Sequence, residues 1–171
     1  MKYLLKLSYM LFIAMLIISC DDEFSHDLVR DNLPEIPVTF DGATTAGFNP
    51  YYTVSYGTGS TAFDIKFSIP GDAPSKIKEV TKISAGTTAI NAGTLNGTSG
   101  KYITDPIVVN GTSFTLSSSI TEFNTKVTGS TRLTAAPVAP VEFVERAFMF
   151  ELLMEDGSKI VPVQVRIRVT P

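Results

Sequence analysis

Short runs of apolar and β-branched residues, separated by Gly, Asn, Ser and Pro, fill the chain from Ile36 to its end. Strands need only a few residues each with turn chemistry between them, whereas a globular helix needs a longer stretch with a 3.6-residue period. The pattern therefore predicts a single all-β domain over residues 36–171. A chain of this length can bury one substantial hydrophobic core.

The stretch from Tyr51 to Ile69 has the alternation of a β-hairpin. Gly59-Ser60 fits a two-residue type II′ turn, which favours Gly at its first position. All the large side chains of both strands then fall on one face, as a half-buried strand pair requires. The predicted pairs are Tyr56 with Phe63, Val54 with Ile65, and Tyr52 with Phe67.

The stretch from Val144 to Val169 repeats this pattern around Asp156-Gly157, a dipeptide typical of type I′ hairpin turns. Pro162 has no N–H to donate, so we expect this strand to lie at a sheet edge or to contain a bulge there. The predicted apolar pairs are Leu152 with Val161, Phe150 with Val163, Phe148 with Val165, and Val144 with Val169. The opposite face pairs Ala147 with Arg166, Met149 with Gln164, and Glu145 with Arg168.

Arg166 and Arg168 have two interpretations at this stage. Two arginines on one strand face could form an anion site. The favoured interpretation is a solvated strand face on which Arg168 pairs with Glu145 across the strands.

The region between the two predicted hairpins is less regular. Residues 77–83 fit both a strand and a helical spacing of three, and the surrounding strands favour a strand. Residues 87–100 are rich in Thr, Gly, Asn and Ala and are predicted to form a loop. Asn110-Gly111 predicts another hairpin, in which Ile107 pairs with Phe114.

One short helix is predicted near residues 120–126. Ser119 and Glu122 have the spacing of a capping box at a helix start. The proline-rich residues 135–140 follow, and we expect them to form a stiff crossover between sheets.

Seven or eight short strands over this length predict a two-sheet antiparallel sandwich of the immunoglobulin-like type. The tryptophan and the paired cysteines of antibody domains are absent from the sequence. The prediction therefore concerns the architecture alone.

The first 19 residues have the layout of a secretory signal peptide. Lys2 and Lys6 form a basic region, and an apolar run over residues 11–18 ends at Ser19. A membrane-spanning helix needs about 18 or more apolar residues, so this run is too short for one. We expect residues 1–19 to be removed.

The segment that ends at Cys20 resembles the lipobox of bacterial lipoproteins, which reads Leu, a small or aliphatic residue, Gly/Ala/Ser and then Cys. Ile18, Ser19 and Cys20 fit this pattern, whereas Ile17 stands where Leu is usual. The resemblance implies a diacylglyceryl thioether and an acylated amine on Cys20, which anchor the protein to a membrane. The other interpretation of this lone cysteine is a free or intermolecular thiol.

Residues 20–35 are predicted to form an acidic flexible tether, because six acids and little apolar surface follow the cysteine. Acids directly after Cys20 resemble the signal that sends lipoproteins of Bacteroidota to the outer face of the outer membrane. In other bacteria, aspartate at this place favours retention at the inner membrane. The end of the chain, from Phe148 to Val169, is also similar to that of many Bacteroidota lipoproteins. Together these features imply an outer-membrane lipoprotein exposed at the cell surface.

The sequence offers little for catalysis. Its only histidine, His26, lies in the predicted tether, far from any packed nucleophile. No Cys/His metal spacing, calcium loop or glycine-rich phosphate loop is present. A formal net charge of −3 without basic clusters does not favour nucleic acid. We expect a protein that is not an enzyme and that has no catalytic residues, cofactor or metal.

Two functions of different classes stay open. The first is a non-catalytic envelope lipoprotein, either a structural or adhesion module or an accessory subunit of a surface assembly. The second, which the resemblance to Bacteroidota lipoproteins implies, is a glycan-binding module of a polysaccharide-uptake system. Sugars usually stack on exposed aromatic rings, and Tyr51 and Tyr102 are the candidates for that role, with ordinary rim packing as the other interpretation. The expected partners are the membrane, through the lipid on Cys20, and other envelope proteins or glycans.

Overall fold

Strands dominate the computed structural model, which describes residues 36–46, 49–57, 61–98 and 100–171. These residues belong to one compact unit, Ile36–Pro171. The all-β prediction is confirmed. Seven of the strands have five residues or more, and three shorter ones extend the sheets.

The strands are β1 (Thr39–Phe40), β2 (Thr44–Ala46), β3 (Asn49–Ser55), β4 (Ala62–Ser68), β5 (Ile77–Gly86), β6 (Ile107–Gly111), β7 (Ser113–Ser119), β8 (Val144–Met154), β9 (Lys159–Ile160) and β10 (Val165–Thr170). Within the described residues, the helices are α1 (Ala92–Asn96) and α2 (Ile120–Lys126), and a 3-10 turn covers Gly129–Thr131.

The strands form two sheets. The small sheet has the order β1-β4-β7, and the large sheet has the order β2-β3-β10-β8-β5-β6 with β9 added to β8. In the immunoglobulin scheme, β4 and β7 take the places of strands B and E, and β5, β8 and β10 take those of C, F and G. Strand β6 extends the second sheet as C′ does. The predicted immunoglobulin-like sandwich is therefore present.

One strand pair departs from the predicted antiparallel arrangement. Strands β3 and β10 run parallel, with Tyr51 opposite Arg166 and Ser55 opposite Thr170, whereas the other paired strands are antiparallel. No tight turn joins β3 to β10, because they lie near opposite ends of the domain. Their relative direction is therefore not imposed by a hairpin.

The predicted hairpin from Tyr51 to Ile69 is wrong in its pairing but right in its faces. Strand β3 pairs with β2 and β10 in the large sheet, and β4 pairs with β1 and β7 in the small sheet. The turn at Gly59-Ser60 falls in residues 58–60, outside the described residues. Both strands still point their predicted apolar side chains into the core, because strands of either sheet face the same interior. Val54, Phe63, Ile65 and Phe67 are buried, and Tyr52 and Tyr56 pack partly buried against them.

The hairpin predicted at Asn110-Gly111 is wrong for the same reason. Strand β6 pairs with β5 in the large sheet, while β7 pairs with β4 in the small sheet. The chain crosses between the sheets at Thr112, whose carbonyl oxygen accepts a hydrogen bond from the Ile69 N–H at 2.8 Å. Asn110 has a φ of +49°, so the turn signal marks a real change of direction but not a hairpin.

The C-terminal hairpin is confirmed over most of its length. Strands β8 and β10 have the predicted register; its pairs include Phe148 with Val165 and Glu145 with Arg168. The turn itself is one residue longer than predicted, because the Met154 N–H bonds the Ser158 carbonyl at 2.9 Å and Gly157 takes a φ of +86°. This is the three-residue loop with a left-handed final residue rather than type I′.

The longer turn shifts the register of β9 by one residue. Leu152 lies opposite Ile160 instead of the predicted Val161. Residues 161–164 then leave the ladder and restore the register before β10 begins. Pro162 lies in this interruption, which is the irregularity that its missing N–H predicted. The predicted pairing of Phe150 with Val163 is wrong, because Val163 lies outside the ladder.

The helix predicted near residues 120–126 is confirmed as α2. The Ser119 hydroxyl accepts a hydrogen bond from the Glu122 N–H at 3.1 Å, which is the expected N-cap contact. The strand predicted over residues 77–83 is also confirmed within β5. The loop predicted over residues 87–100 is only partly right, because it contains α1.

The core lies between the inner faces of the two sheets. The rings of Phe67 and Phe150 meet across it with centroids 5.2 Å apart, and those of Phe63 and Phe148 meet at 5.9 Å. Helix α2 closes one end of the core, where Phe123 lies 5.7 Å from Phe148. Among the described residues, no helix has the length and apolar content needed to cross a membrane.

Candidate functional site

A pocket of about 460 Å³ opens at one end of the sandwich. One wall comes from residues 85–98 and 100–101, which include α1, and the other comes from residues 126–131 at the end of α2. Both walls are held in place by local contacts.

The first wall folds over the outer face of the large sheet because the side chains beneath it are small. Ser84 and Gly86 of β5 and Ala147 of β8 are buried there, and α1 lies against both strands. Leu95 of α1 is only 2% exposed, yet it does not belong to the main core. A Cβ at position 86 would lie 2.4 Å from the Ile90 Cγ2, so Ile90 can lie this close to β5 only because residue 86 is glycine.

Caps at both ends shape this wall. The Asn91 side chain accepts from the Thr94 N–H at 3.2 Å, while the Thr94 hydroxyl accepts from the Asn91 N–H at 3.4 Å. Gly100 has a φ of +81°, and its carbonyl accepts from the Ala85 N–H at 2.9 Å. The segment is thus tied back to β5 just before Lys101.

Arg146 holds the second wall. It lies on the same face of β8 as the core phenylalanines and donates to backbone carbonyl oxygens of the turn, including Thr131 at 2.6 Å and Ser130 at 3.2 Å. Its guanidinium also donates to the carbonyls of Arg132 and Glu145. Burial lowers the pKa of Arg146 below its ordinary value. The three carbonyl acceptors at residues 130–132 tie the turn to one guanidinium and so fix its shape.

The lining of the pocket combines hydroxyl groups, ammonium groups and small apolar surfaces. None of its lining residues is acidic. The hydroxyls come from Thr87, Thr94, Thr98, Thr128 and Thr131, the ammonium groups from Lys101 and Lys126, and the apolar surface from Ala85, Ala89, Ile90 and Val127.

The two lysines differ in their partners. Lys126 forms an ion pair with Glu122 at 2.7 Å, and its ammonium lies 4.4 Å from the centroid of the Tyr102 ring. The hydrogen bond from Lys126 lowers the pKa of Glu122 below its usual value. The side chain of Lys101 is exposed and has no ion-pair or hydrogen-bond partner among the described residues.

Tyr102 does not lie on the surface, and this corrects its prediction as a stacking residue. It is 2% exposed, with its ring against Phe123 and Phe148 and its hydroxyl hydrogen-bonded to Ser118. Burial raises the pKa of Tyr102 to about 12. Core packing occupies this ring, so a ligand cannot stack on it. The alternation of strands did not show this because residues 101–106 precede β6 and are not part of a strand.

Tyr51, the other predicted stacking residue, lies partly exposed on the outer face of the large sheet. The Arg168 guanidinium lies 3.7 Å from the centroid of its ring and 4.0 Å from that of Phe143. One face of the Tyr51 ring is therefore occupied by a side chain of its own domain. Its stacking role stays a prediction.

Arg166 and Arg168 share one carboxylate. Glu145 accepts from Arg166 at 2.8 Å and from Arg168 at 2.8 Å, so the predicted cross-strand pair is present and has a second member. The Glu145 side chain is only 12% exposed. These contacts support the strand face with a cross-strand ion pair over the anion site, since the Glu145 carboxylate already binds both guanidinium groups.

The remaining predicted site residue, Cys20, lies outside the described residues, as does His26. Within the part of the chain that the structure describes, no group of three or more His, Cys, Asp or Glu residues could hold a metal ion.

The fold and the pocket define this protein as an immunoglobulin-like β-sandwich with a polar pocket at one end, lined in part by two lysines. No family model matches the chain, and neither a curated protein nor a solved structure shows detectable similarity to it.

Sequence reasoning did not find the pocket. Its walls come from segments 85–101 and 126–131, and their proximity depends on tertiary packing. The one available signal was the concentration of Thr, Gly, Asn and Ala in residues 87–100, which predicted only a loop.

Proposed function

We propose that this chain is a lipid-anchored protein of the bacterial cell envelope that carries out no catalysis. It is attached through Cys20 to the outer membrane and exposed at the cell surface, as a Bacteroidota-type lipoprotein. Its sandwich acts as a structural or adhesion module, or as an accessory subunit of a surface assembly.

The observation that carries this proposal is the distribution of apolar surface. Of the six large hydrophobic side chains that are exposed among the described residues, five lie in the segments 138–143 and 161–163. Three of the five share the segment 138–143, and apolar side chains exposed close together on a surface are typical of protein contact sites. The five are Val138, Val141, Phe143, Val161 and Val163, with exposures from 38% to 74%.

The first of these segments ends on a rigid support. Phe143 packs against the Arg168 guanidinium, which Glu145 holds in place. A contact surface that is ordered before binding loses less conformational entropy on association. This support favours a role in which segment 138–143 docks against another protein.

The anchor is tested by replacing the acceptor of the lipid. In cells that produce the full chain natively, Cys20→Ala should abolish labelling with a palmitate analogue and move the protein from the detergent phase to the aqueous phase. Ser19→Ala is the matched control, because alanine fits the lipobox at that position. A normally labelled Cys20→Ala protein would contradict the anchor. Protection of the Ser19→Ala protein from protease added to intact cells would contradict surface exposure.

The contact surface is tested with a photo-crosslinking residue placed at Val138 or Val141 in the anchored chain. We expect discrete crosslinked species that are absent when the same residue replaces Asp72 or Lys78, which are exposed but lie outside both apolar segments. Identical patterns at all four positions would count against an assembly or adhesion role.

The second proposal is a glycan-binding module, and the pocket is the observation that favours it. Residues with hydroxyl and ammonium groups line a cavity of suitable volume, whereas Tyr102 is buried and Tyr51 has one ring face covered. In this proposal the glycan binds in the pocket and not at the two tyrosines. Binding of the full chain to a panel of polysaccharides is its direct test.

A further inference from the structure

The size of the pocket at the end of the sandwich indicates an organic ligand. A volume of about 460 Å³ lies within the range of about 300–1,000 Å³ found for small-molecule sites. A bare inorganic anion would fill only a small part of this space. A ligand that fills this space would therefore have an organic framework as well as any charged group.

The charge of the lining favours an anionic group on that ligand. Lys101 is free of protein ion pairs within the described residues, and none of the lining side chains carries a negative charge. Lys126 is already paired with Glu122, so it contributes less. A hydrogen bond between an ammonium and a carboxylate is among the stronger polar contacts in proteins.

The neutral part of the lining favours a polyhydroxylated body. Threonines belong to both walls, with Thr87, Thr94 and Thr98 on one and Thr128 and Thr131 on the other. Each hydroxyl can both donate and accept, which matches the hydroxyls of a sugar. The methyl and methylene groups of Ile90, which is partly exposed, offer apolar surface to the C–H groups of a sugar ring.

We propose that this pocket binds a saccharide that carries a carboxylate, with Lys101 as the residue that recognises the charge. The inference rests on the second proposed function, glycan binding, and adds the class of sugar to it. The Lys101 ammonium pairs with the carboxylate, and the threonine hydroxyls bind the ring hydroxyls.

The first experiment compares two ligands that differ only in the charged group. The full chain, solubilised in detergent with its anchor, is titrated with sodium glucuronate and with glucose, and the dissociation constants are measured by calorimetry. We expect glucuronate to bind about tenfold more tightly, since a charge-assisted hydrogen bond is lost with glucose. Equal affinities would overturn the acidic class while leaving glycan binding intact. Failure of both sugars to bind would overturn both proposals at this pocket.

Inorganic phosphate is the third ligand in the same titration. Weaker binding than that of glucuronate supports a saccharide site, because phosphate cannot contact the ring-binding hydroxyls. Binding of phosphate as tight as that of glucuronate would overturn the saccharide and indicate a simple anion site.

The second experiment removes the charge. Lys101→Met keeps most of the side-chain stem and should weaken glucuronate binding about tenfold without changing the affinity for glucose. Lys101→Arg keeps the positive charge and should therefore retain most of the affinity for glucuronate. Lys78→Met is the matched control, because Lys78 is exposed on β5 outside the pocket lining. Equal effects of Lys101→Met and Lys78→Met would overturn the role of Lys101.

Discussion

The two faces of the large sheet are covered in different ways. The inner face meets the small sheet, and the side chains it presents there, such as Phe148 and Phe150, are large and fully buried. Part of the outer face meets only the segment around α1, and the residues beneath that segment, Ser84, Gly86 and Ala147, are small. Elsewhere the outer face carries ion-paired side chains, among them Glu145, Arg166 and Arg168.

This difference separates stability from the sites available for binding. Tight packing between large apolar groups supplies most of the stability of a domain and tolerates little change. The outer face relies on close approach and ion pairs, which contribute less, so a segment there can form one wall of a pocket without opening the core. The comparison leads to four predictions, each of which changes one face and leaves the other intact.

Phe150→Ala should have the largest effect. The side chain is fully buried and its ring contacts Phe40 and Phe67. Its removal should lower the free energy of unfolding by about 3–5 kcal/mol, measured by urea denaturation. Phe143→Ala is the control, because this ring is 38% exposed on the outer side, and its loss should be much smaller. Similar losses for both would remove the distinction between the faces.

Gly86→Ala should come next, because it fills the space that lets residues 87–101 approach the sheet. The added methyl would meet the Ile90 Cγ2, and the resulting strain should cost about 1–3 kcal/mol. Gly71→Ala is the control, since an added Cβ there meets nothing within 4 Å. Thermal denaturation of both variants measures the difference. An unchanged melting temperature for Gly86→Ala would show that the α1 segment is not fitted to the sheet.

Glu145→Gln should destabilise the fold by about 1–2 kcal/mol, because two partly buried guanidinium groups lose their shared carboxylate. Glu142→Gln provides the comparison, since Glu142 is exposed and forms no ion pair within the described residues. Chemical denaturation at low and at high salt should show that the loss for Glu145→Gln persists at high salt, as expected for a shielded pair.

The smallest effect concerns Glu151 at acidic pH. Burial acts to raise the pKa of this carboxyl, but hydrogen bonds from Thr81, Lys82 and Lys159 outweigh it and lower the pKa below its usual value. The unfolded chain therefore binds this proton more readily than the folded one, so the stabilisation is present above about pH 4.5 and is lost as the pH falls through the folded pKa.

The measurement is the unfolding free energy of wild type and Glu151→Gln between pH 7 and pH 3. The difference between the two proteins should shrink on acidification, by less than about 1 kcal/mol because the lysine partners are solvated. A difference that grows towards low pH would contradict the direction of the pKa shift.

Sequence reasoning predicted which face of a strand is buried, but it did not predict the partner of each strand. Alternation in β3 and β4 placed Val54 and Phe67 correctly in the core. The same alternation suits neighbouring strands of one sheet and facing strands of two sheets, since in both cases one side meets the interior. The hairpin around Asp156-Gly157 was predictable because β8 and β10 do lie in one sheet and share most of their register.

The pocket was less predictable than the fold because its lining depends on contacts between distant segments. The contact between Gly86 and Ile90 and the hold of Arg146 on the 3-10 turn have no periodic signature in the sequence. The capping signal at Ser119 was local, and it correctly predicted the helix that carries Lys126.

The position of β10 has a consequence for the order in which the domain can assemble. This strand includes some of the last residues of the chain, yet it lies between β3 and β8 inside the large sheet. Until residues 165–170 have left the ribosome, β3 and β8 lack the neighbour that joins them, so the large sheet cannot close before this strand is available.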